Sequence, residues 1–204
     1  MSTEFNRDRL ASTRRRQLLG ALAVTALVGV AAAPVVSQTR QPVSAPERRV
    51  KAAFLYKFLA YTEFPASAFG DALSPVVIGV IGADELAAEL ERIVAGRTVQ
   101  SRPIVMKVMR DAEGASAVHM LFVGGNDNAR IRSVIRAAAA GPMLVVSEAR
   151  DGLQQGSVIN FLVVDERVRF DVSLEAAEKN SVKLSSRLLT VANYVQREHR
   201  DATR

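Results

Sequence analysis

VVIGVIGADELAAELERIVAG, residues 76–96, decides the fold class. Pro75 leads into seven apolar residues, mostly β-branched, with no alternation between wet and dry positions. A run of that kind fits a strand buried on both faces. Asp84 then stands where a helix takes its cap, and Leu86, Leu90 and Ile93 follow at helical spacing, with Gly96 near the stop. A doubly covered strand running straight into an amphipathic helix is the unit from which α/β sheets are built.

The same alternation continues outward. PIVMKVM (103–109) and VHMLFVGG (118–125) read as further strands, and Asn126 or Asp127 caps the helix NARIRSVIRAAAAG (128–141). MLVVSE (143–148) is a fourth strand. GSVINFLVV (156–164) and RVRFDV (167–172) are separated only by Asp165-Glu166 and read as a hairpin. The second of these alternates, with Val168, Phe170 and Val172 on one face and Arg167, Arg169 and Asp171 on the other, as an edge strand does. Two helical pieces close the chain: SLEAAEKN (173–180), and VKLSSRLLTVANYV (182–195) with Leu184, Leu188, Val191, Ala192 and Val195 on one stripe. No repeat and no internal linker divides this region. The prediction is a single compact α/β domain, a mixed sheet with helices packed on it and a C-terminal β-hairpin and helix.

The amino terminus has a different character. RRRQLLGALAVTALVGVAAAPVV (14–36) joins a basic start to roughly eighteen weakly apolar residues, the layout of an export signal. Arg15-Arg16-Gln17-Leu18-Leu19 matches the twin-arginine pattern, but Gly20 replaces the basic residue usual after it, so Sec export stays open. Pro34 blocks cleavage after Ala31-Ala32-Ala33, whereas Val35-Val36-Ser37 gives a mature chain from Gln38. Residues 1–37 are therefore read as a signal peptide, 38–47 as a linker, 48–197 as the domain and 198–204 as a polar tail. An uncleaved membrane anchor is the alternative, because eighteen apolar residues just span a bilayer. Either way the domain lies outside the cytoplasm, in the periplasm.

Composition removes several kinds of chemistry. Cysteine is absent, so no disulfide, thiolate metal site or thiol nucleophile exists. The only histidines are His119 and His199. Net charge is +6, half of it from five arginines against Glu4 and Asp8 in the first 37 residues. With no Trp and no basic run interleaved with aromatics, nucleic acid is not expected as a partner. Gly82-Ala83-Asp84 and Gly124-Gly125-Asn126-Asp127 are explained by turns and caps, with no G-x-G-x-x-G beside them. His119, between Val118 and Met120, reads as a hydrogen-bonded core residue. Asp84, Glu85, Glu89 and Glu91 follow helical intervals and read as a solvated face. No G-x-S-x-G elbow exists, and no serine stands beside a usable histidine. The expectation is a non-enzyme without cofactor or metal.

VKAAFLYKFLAYTEFP (50–65) opens the domain with a helix that shows two apolar stripes. Val50, Phe54, Phe58 and Tyr61 form one; Ala52, Leu55 and Leu59, with Tyr56 along its edge, form the other. A helix on a domain surface needs one stripe. One stripe is expected in the core and the other in an interface, which makes Phe54, Leu55, Phe58, Leu59 and Tyr61 the candidate partner-binding residues.

That stretch also resembles the start of the YfiR family, through Lys51-Ala52-Ala53-Phe54-Leu55-Tyr56-Lys57-Phe58 and the closing Phe64-Pro65. The resemblance continues through PVVIGVIGAD, GRTVQSRP and HMLFV, and through Gly156, Ile159, Asn160, Phe161, Val168, Arg169, Phe170, Leu184, Ser185, Ser186, Leu188, Leu189 and Ala192. It implies an exported protein that binds the periplasmic part of a membrane diguanylate cyclase and represses it, lowering cyclic di-GMP signalling; the outward stripe of the first helix is expected to serve either that contact or a homodimer. Family members with cysteine pairs couple redox state to repression, which this cysteine-free chain cannot do. Where the family has Gly-Gly before the long hairpin strand, this chain has Gln155-Gly156. The rival reading is a periplasmic small-ligand sensor module using the turns near Gly82 and Gly125.

Overall fold

Ser44 caps the first helix: its side chain accepts the Glu47 N–H at 3.3 Å, and Pro46 occupies the first turn, where no backbone donor is needed. Helix α1 (Ala45–Ala60) follows in this computed structural model, which describes residues 44–138 and 141–197, all within one compact unit. Residues 45–47, read above as linker, thus form the first helical turn. The expected signal peptide, the rest of the linker and the polar tail fall outside the described residues. Among the described residues no helix is long and apolar enough to cross a membrane.

α1 ends five residues before Pro65. Tyr61 donates back to the last carbonyls, and the chain turns into β1 (Thr62–Glu63), which pairs antiparallel with β9 (Lys183–Leu184). The deciding stretch then behaves as predicted. β2 (Val76–Ile81) is buried at every position and feeds α2 (Asp84–Val94), whose Leu86, Ala87, Leu90 and Val94 face inward. Asp84 is the first helical residue rather than the cap, which falls on Ala83. β3 (Thr98–Val99) and β4 (Arg102–Met109) are joined through Gln100 and Ser101, both at positive φ. β5 (Met120–Val123), α3 (Asn128–Ala138) and β6 (Leu144–Ser147) complete the first half, with the Asp127 side chain accepting the Ala129 and Arg130 N–H groups.

β7 (Ile159–Val164) and β8 (Arg167–Ser173) form the expected hairpin, with Phe161 opposite Phe170. The last strand is not β8. After α4 (Leu174–Lys179) and α5 (Ser186–Val191), β10 (Tyr194–Gln196) pairs parallel with β8 and takes the edge. The helix expected over 182–195 is therefore one short helix between two short strands. Asn193 N–H donates to Phe170 O and its side chain to Asp171, so pairing with β8 overrides the helical spacing.

The sheet order is β10-β8-β7-β6-β5-β2-β4-β3, parallel from β7 through β4 and antiparallel at β7–β8 and β3–β4. This is the mixed sheet the sequence predicts. Its two faces bury separate clusters because strand side chains alternate. Val76, Ile78, Val80, Met120, Phe122, Leu144 and Val146 pack with α1 and α2; Val77, Ile81, Leu121, Val123 and Val145 pack with α3.

Candidate functional site

Apart from the exposed Val50, the two stripes of α1 are both accounted for inside the domain. Phe58 stacks on Phe161 at 5.5 Å and meets the edge of Phe170 at 4.9 Å, while Phe54 completes the group at 5.5 Å from Phe170. On the other side α1 lies against α2, within the same core. Leu55, Phe58 and Leu59 have no exposed surface, and Phe54 and Tyr61 are half-buried against that core. The assignment of Leu55, Phe58 and Leu59 to a partner interface is corrected: they close the chain's own core between the hairpin and α2. The helix still has a solvent face, but beyond Arg49 it is made of Val50, Ala53 and Ala60 with Lys57 as its one charge, too apolar to read as wet.

The residues that carry the family resemblance are mostly architectural. Lys51 is buried, and its ammonium reaches Glu148 at 2.6 Å and Glu47 at 2.5 Å. Tyr56 lies under Arg97, whose guanidinium carbon is 5.0 Å from the ring centre; Lys57 is exposed; Pro65 starts a 3-10 turn (Ala66–Ala68). Asn160 accepts from Ser147 (2.7 Å) and donates to Ala149 O (2.9 Å), and Ser157 donates to Ser147 (2.8 Å). This buried chain fastens residues 148–158 across the ends of β6 and β7. Gly152 passes so close that an added Cβ would stand 2.2 Å from the Asn160 carbonyl oxygen. Gly156 has φ +111°, whereas Gln155 has no positive φ, so the change from Gly-Gly leaves the one glycine-requiring position intact. Ser185 N–H donates to Tyr61 O, its hydroxyl is buried without a partner, and Leu188 is buried.

Sheets of this kind place ligands where the strand order reverses, beyond the C-terminal strand ends. Here that point lies between β2 and β5, and a crevice of about 260 Å³ opens there beside Arg48, Gly82, Asp84, Gly125, Asn126 and Glu148. Its amide side is already occupied. The Glu148 carboxylate accepts the Gly125 N–H at 3.3 Å while gripping Lys51, so an arriving anion would meet a fixed negative charge. Arg48 is likewise held by Glu85 at 2.9 Å. The arrangement locks α1 to the strand ends and disfavours phosphate or carboxylate ligands. Among the described residues no three acidic or histidine side chains are placed to hold a metal ion.

His119 lies just ahead of β5, buried. Its Nδ1 accepts the Val77 N–H at 3.0 Å, and its Nε2 lies 3.0 Å from Ala68 O. Burial, chiefly, pushes its pKa below the ordinary value. It is the core histidine the sequence predicts.

The open surface lies elsewhere. Val164 and Val191 line a groove of about 480 Å³ with Asp165, Arg167, Arg169, Ala192 and Asn193. Tyr194 (56% exposed) follows on β10, on the same face as Asp171, and Val191 is 62% exposed, whereas Val163, paired with Val168, lies on the other face of the hairpin. Val164, Val191 and Tyr194 thus leave three large apolar side chains exposed at this corner. The connecting residues Asp165 and Glu166 are held at φ 47° and 59°, where neither asparagine nor glycine eases the turn. Sequence reasoning missed this site. Its signal was the run Leu162-Val163-Val164, which stays apolar up to the turn although an outward-facing strand end should alternate.

A family model described as YfiR/HmsC-like matches residues 48–193. The chain is also similar to a solved structure, a conserved domain protein from Vibrio cholerae O1 biovar El Tor strain N16961, at 13% identity with a TM-score of 0.51. The match covers 73% of this chain and 60% of that one, and at this identity it speaks for the fold alone. No curated protein matches the sequence.

Proposed function

The chain belongs to the YfiR/HmsC-like family, and from that premise we propose that it is an exported, non-enzymatic regulator of a membrane diguanylate cyclase. Members of that family are periplasmic regulators of such cyclases rather than catalysts. In this reading residues 1–37 direct export, residues 48–197 form the acting domain, and cyclic di-GMP signalling falls when the domain holds the periplasmic part of the cyclase. The family match over 48–193 is the observation that carries it.

The groove between the hairpin tip and α5 supports a contact mechanism. Apolar side chains left in water and rimmed by Arg167, Arg169 and Asp165 have the make-up of a protein-binding patch. They replace the α1 stripes as the proposed contact. The same surface on a second copy would give the homodimer. The Glu148 carboxylate on the amide side of the crevice at the strand reversal weighs against an anionic small ligand there.

The test is physiological. Cells lacking the protein should hold more cyclic di-GMP than cells that have it, and full-length protein expressed in trans should restore the lower level. Unchanged cyclic di-GMP in both strains rejects the role.

A further inference from the structure

Residues 64–75 cross from β1 to β2 with little burial of their own. Ala66, Ser67, Gly70, Asp71, Ala72 and Leu73 are exposed, Leu73 by 84%. Two groups of the domain body hold the segment down. Arg102 donates to Asp71 O (2.9 Å) and Ser74 O (2.7 Å), and its guanidinium lies 3.8 Å from the centre of the Phe69 ring. His119 stacks on Phe69 at 4.4 Å, meets Phe64 edge-on at 5.7 Å, and bonds Ala68 O through Nε2.

The partners of the ring fix its protonation state. Val77 N–H is a donor, so Nδ1 must offer a lone pair; Ala68 O is an acceptor, so Nε2 must carry the hydrogen. Only the neutral Nε2–H tautomer satisfies both. A proton on Nδ1 would set two donors against each other across 3.0 Å at the start of β2. The ring would then have to turn, breaking its bond to Ala68 and its stack on Phe69.

We propose that His119 is an acid-released latch, whose neutral ring holds segment 64–75 on the sheet and whose protonation lets that segment lift.

The charges around the ring favour release over accommodation. Burial chiefly, and then Arg102 of β4, oppose protonation and outweigh the Ala68 carbonyl, which favours it. Asp71, in the segment itself, directs its carboxylate to the Leu73 N–H rather than to the ring. β2 brings no charged residue, and Asp111 and Glu113, on the stretch before β5, are exposed, Asp111 being turned to the Glu113 N–H. Lifting the segment would expose Phe64, Phe69 and the start of β2. It would also open the pocket of about 450 Å³ that Ser67 and Ala68 share with His119, Val118 and Met143. The inference goes beyond the repressor reading and does not depend on it, because the latch is read from the isolated chain.

With two histidines in the sequence, the imidazole resonances of the mature full-length chain are assignable by NMR. The same samples, taken from pH 7.5 to 5, give amide hydrogen exchange for 66–74 and for α3. The expected result is that protection of 66–74 falls by up to about tenfold per pH unit below the ordinary imidazole value of about 6.5, while α3 keeps its protection. His119→Gln should abolish that pH dependence. Arg102→Gln keeps the titrating ring, guards against a misfolded His119 variant, and should raise the pKa of His119. Equal protection of 66–74 at both pH limits overturns the latch. So does an undiminished pH dependence in His119→Gln, or a His119 pKa that falls in Arg102→Gln.

Discussion

Lys51 shows what one side chain does when it is buried with its charge. Desolvating an ammonium costs several kcal/mol unless carboxylates meet it, and here two do. Lys51→Met should therefore destabilise the domain by about 3 kcal/mol, because Glu47 and Glu148 are left facing each other. Combining it with Glu148→Gln should recover part of the loss, a non-additivity that denaturant unfolding of the four proteins in the cycle would measure. Equal and additive losses would mean that the pair is not coupled. Gly152 makes the same kind of demand by size. Gly152→Ala forces a methyl group into the Ser147–Asn160 hydrogen bond and should lower stability by about 2 kcal/mol, read in the same unfolding experiment. Neither demand is visible in the sequence, where Lys51 looks like surface and Gly152 like a turn.

At the scale of elements, α1 and the hairpin carry the account. Because Leu55, Phe58 and Leu59 are enclosed and Phe54 packs on the same core, replacing Phe54 together with Phe58, or Leu55 together with Leu59, by Ser should unfold the domain or cost several kcal/mol per pair. Near-normal melting of either pair would restore an interface role to that stripe. The β7–β8 turn makes the opposite prediction. Asp165→Asn with Glu166→Gly suits the positive φ angles and should stabilise by about 1 kcal/mol, seen as a raised melting temperature. The long buried strands and the hairpin were legible because β2, β5 and β6 are continuous apolar runs and β8 alternates. The strands β1, β3, β9 and β10 were not, since two or three residues carry no period and exist only through their partners. α1 misled because from residue 50 onward its solvent face is Val50, Ala53 and Ala60 with a single lysine. The hairpin groove was hidden because Val164 and Val191 meet only through the pairing of β10 with β8.

For the whole molecule, two titrations separate in pH. The folded pKa of His119 lies below its unfolded value of about 6.5, so below that pH the unfolded chain binds more protons. Its contribution is complete above about 6.5 and is lost as pH falls through the folded value; unfolding midpoints should drop between pH 7.5 and 5. Asp71 is held below the ordinary carboxylate value, first by the Leu73 N–H and then by Ser74, so its contribution disappears only at more acid pH. A midpoint that rises on acidification to pH 5 would contradict the assignment for His119. The proposed contact joins this domain to the periplasmic part of a diguanylate cyclase through the hairpin groove. It is tested most directly by titrating that cyclase fragment with the purified mature chain and with a Val164→Ser, Val191→Ser variant. Both substitutions are at exposed positions, so both proteins should melt alike. The wild-type chain should bind, and the variant should bind at least about tenfold more weakly, the loss of roughly 1.4 kcal/mol expected when an apolar anchor is removed. Absence of binding by the wild-type chain, or equal affinity for the two, would contradict it.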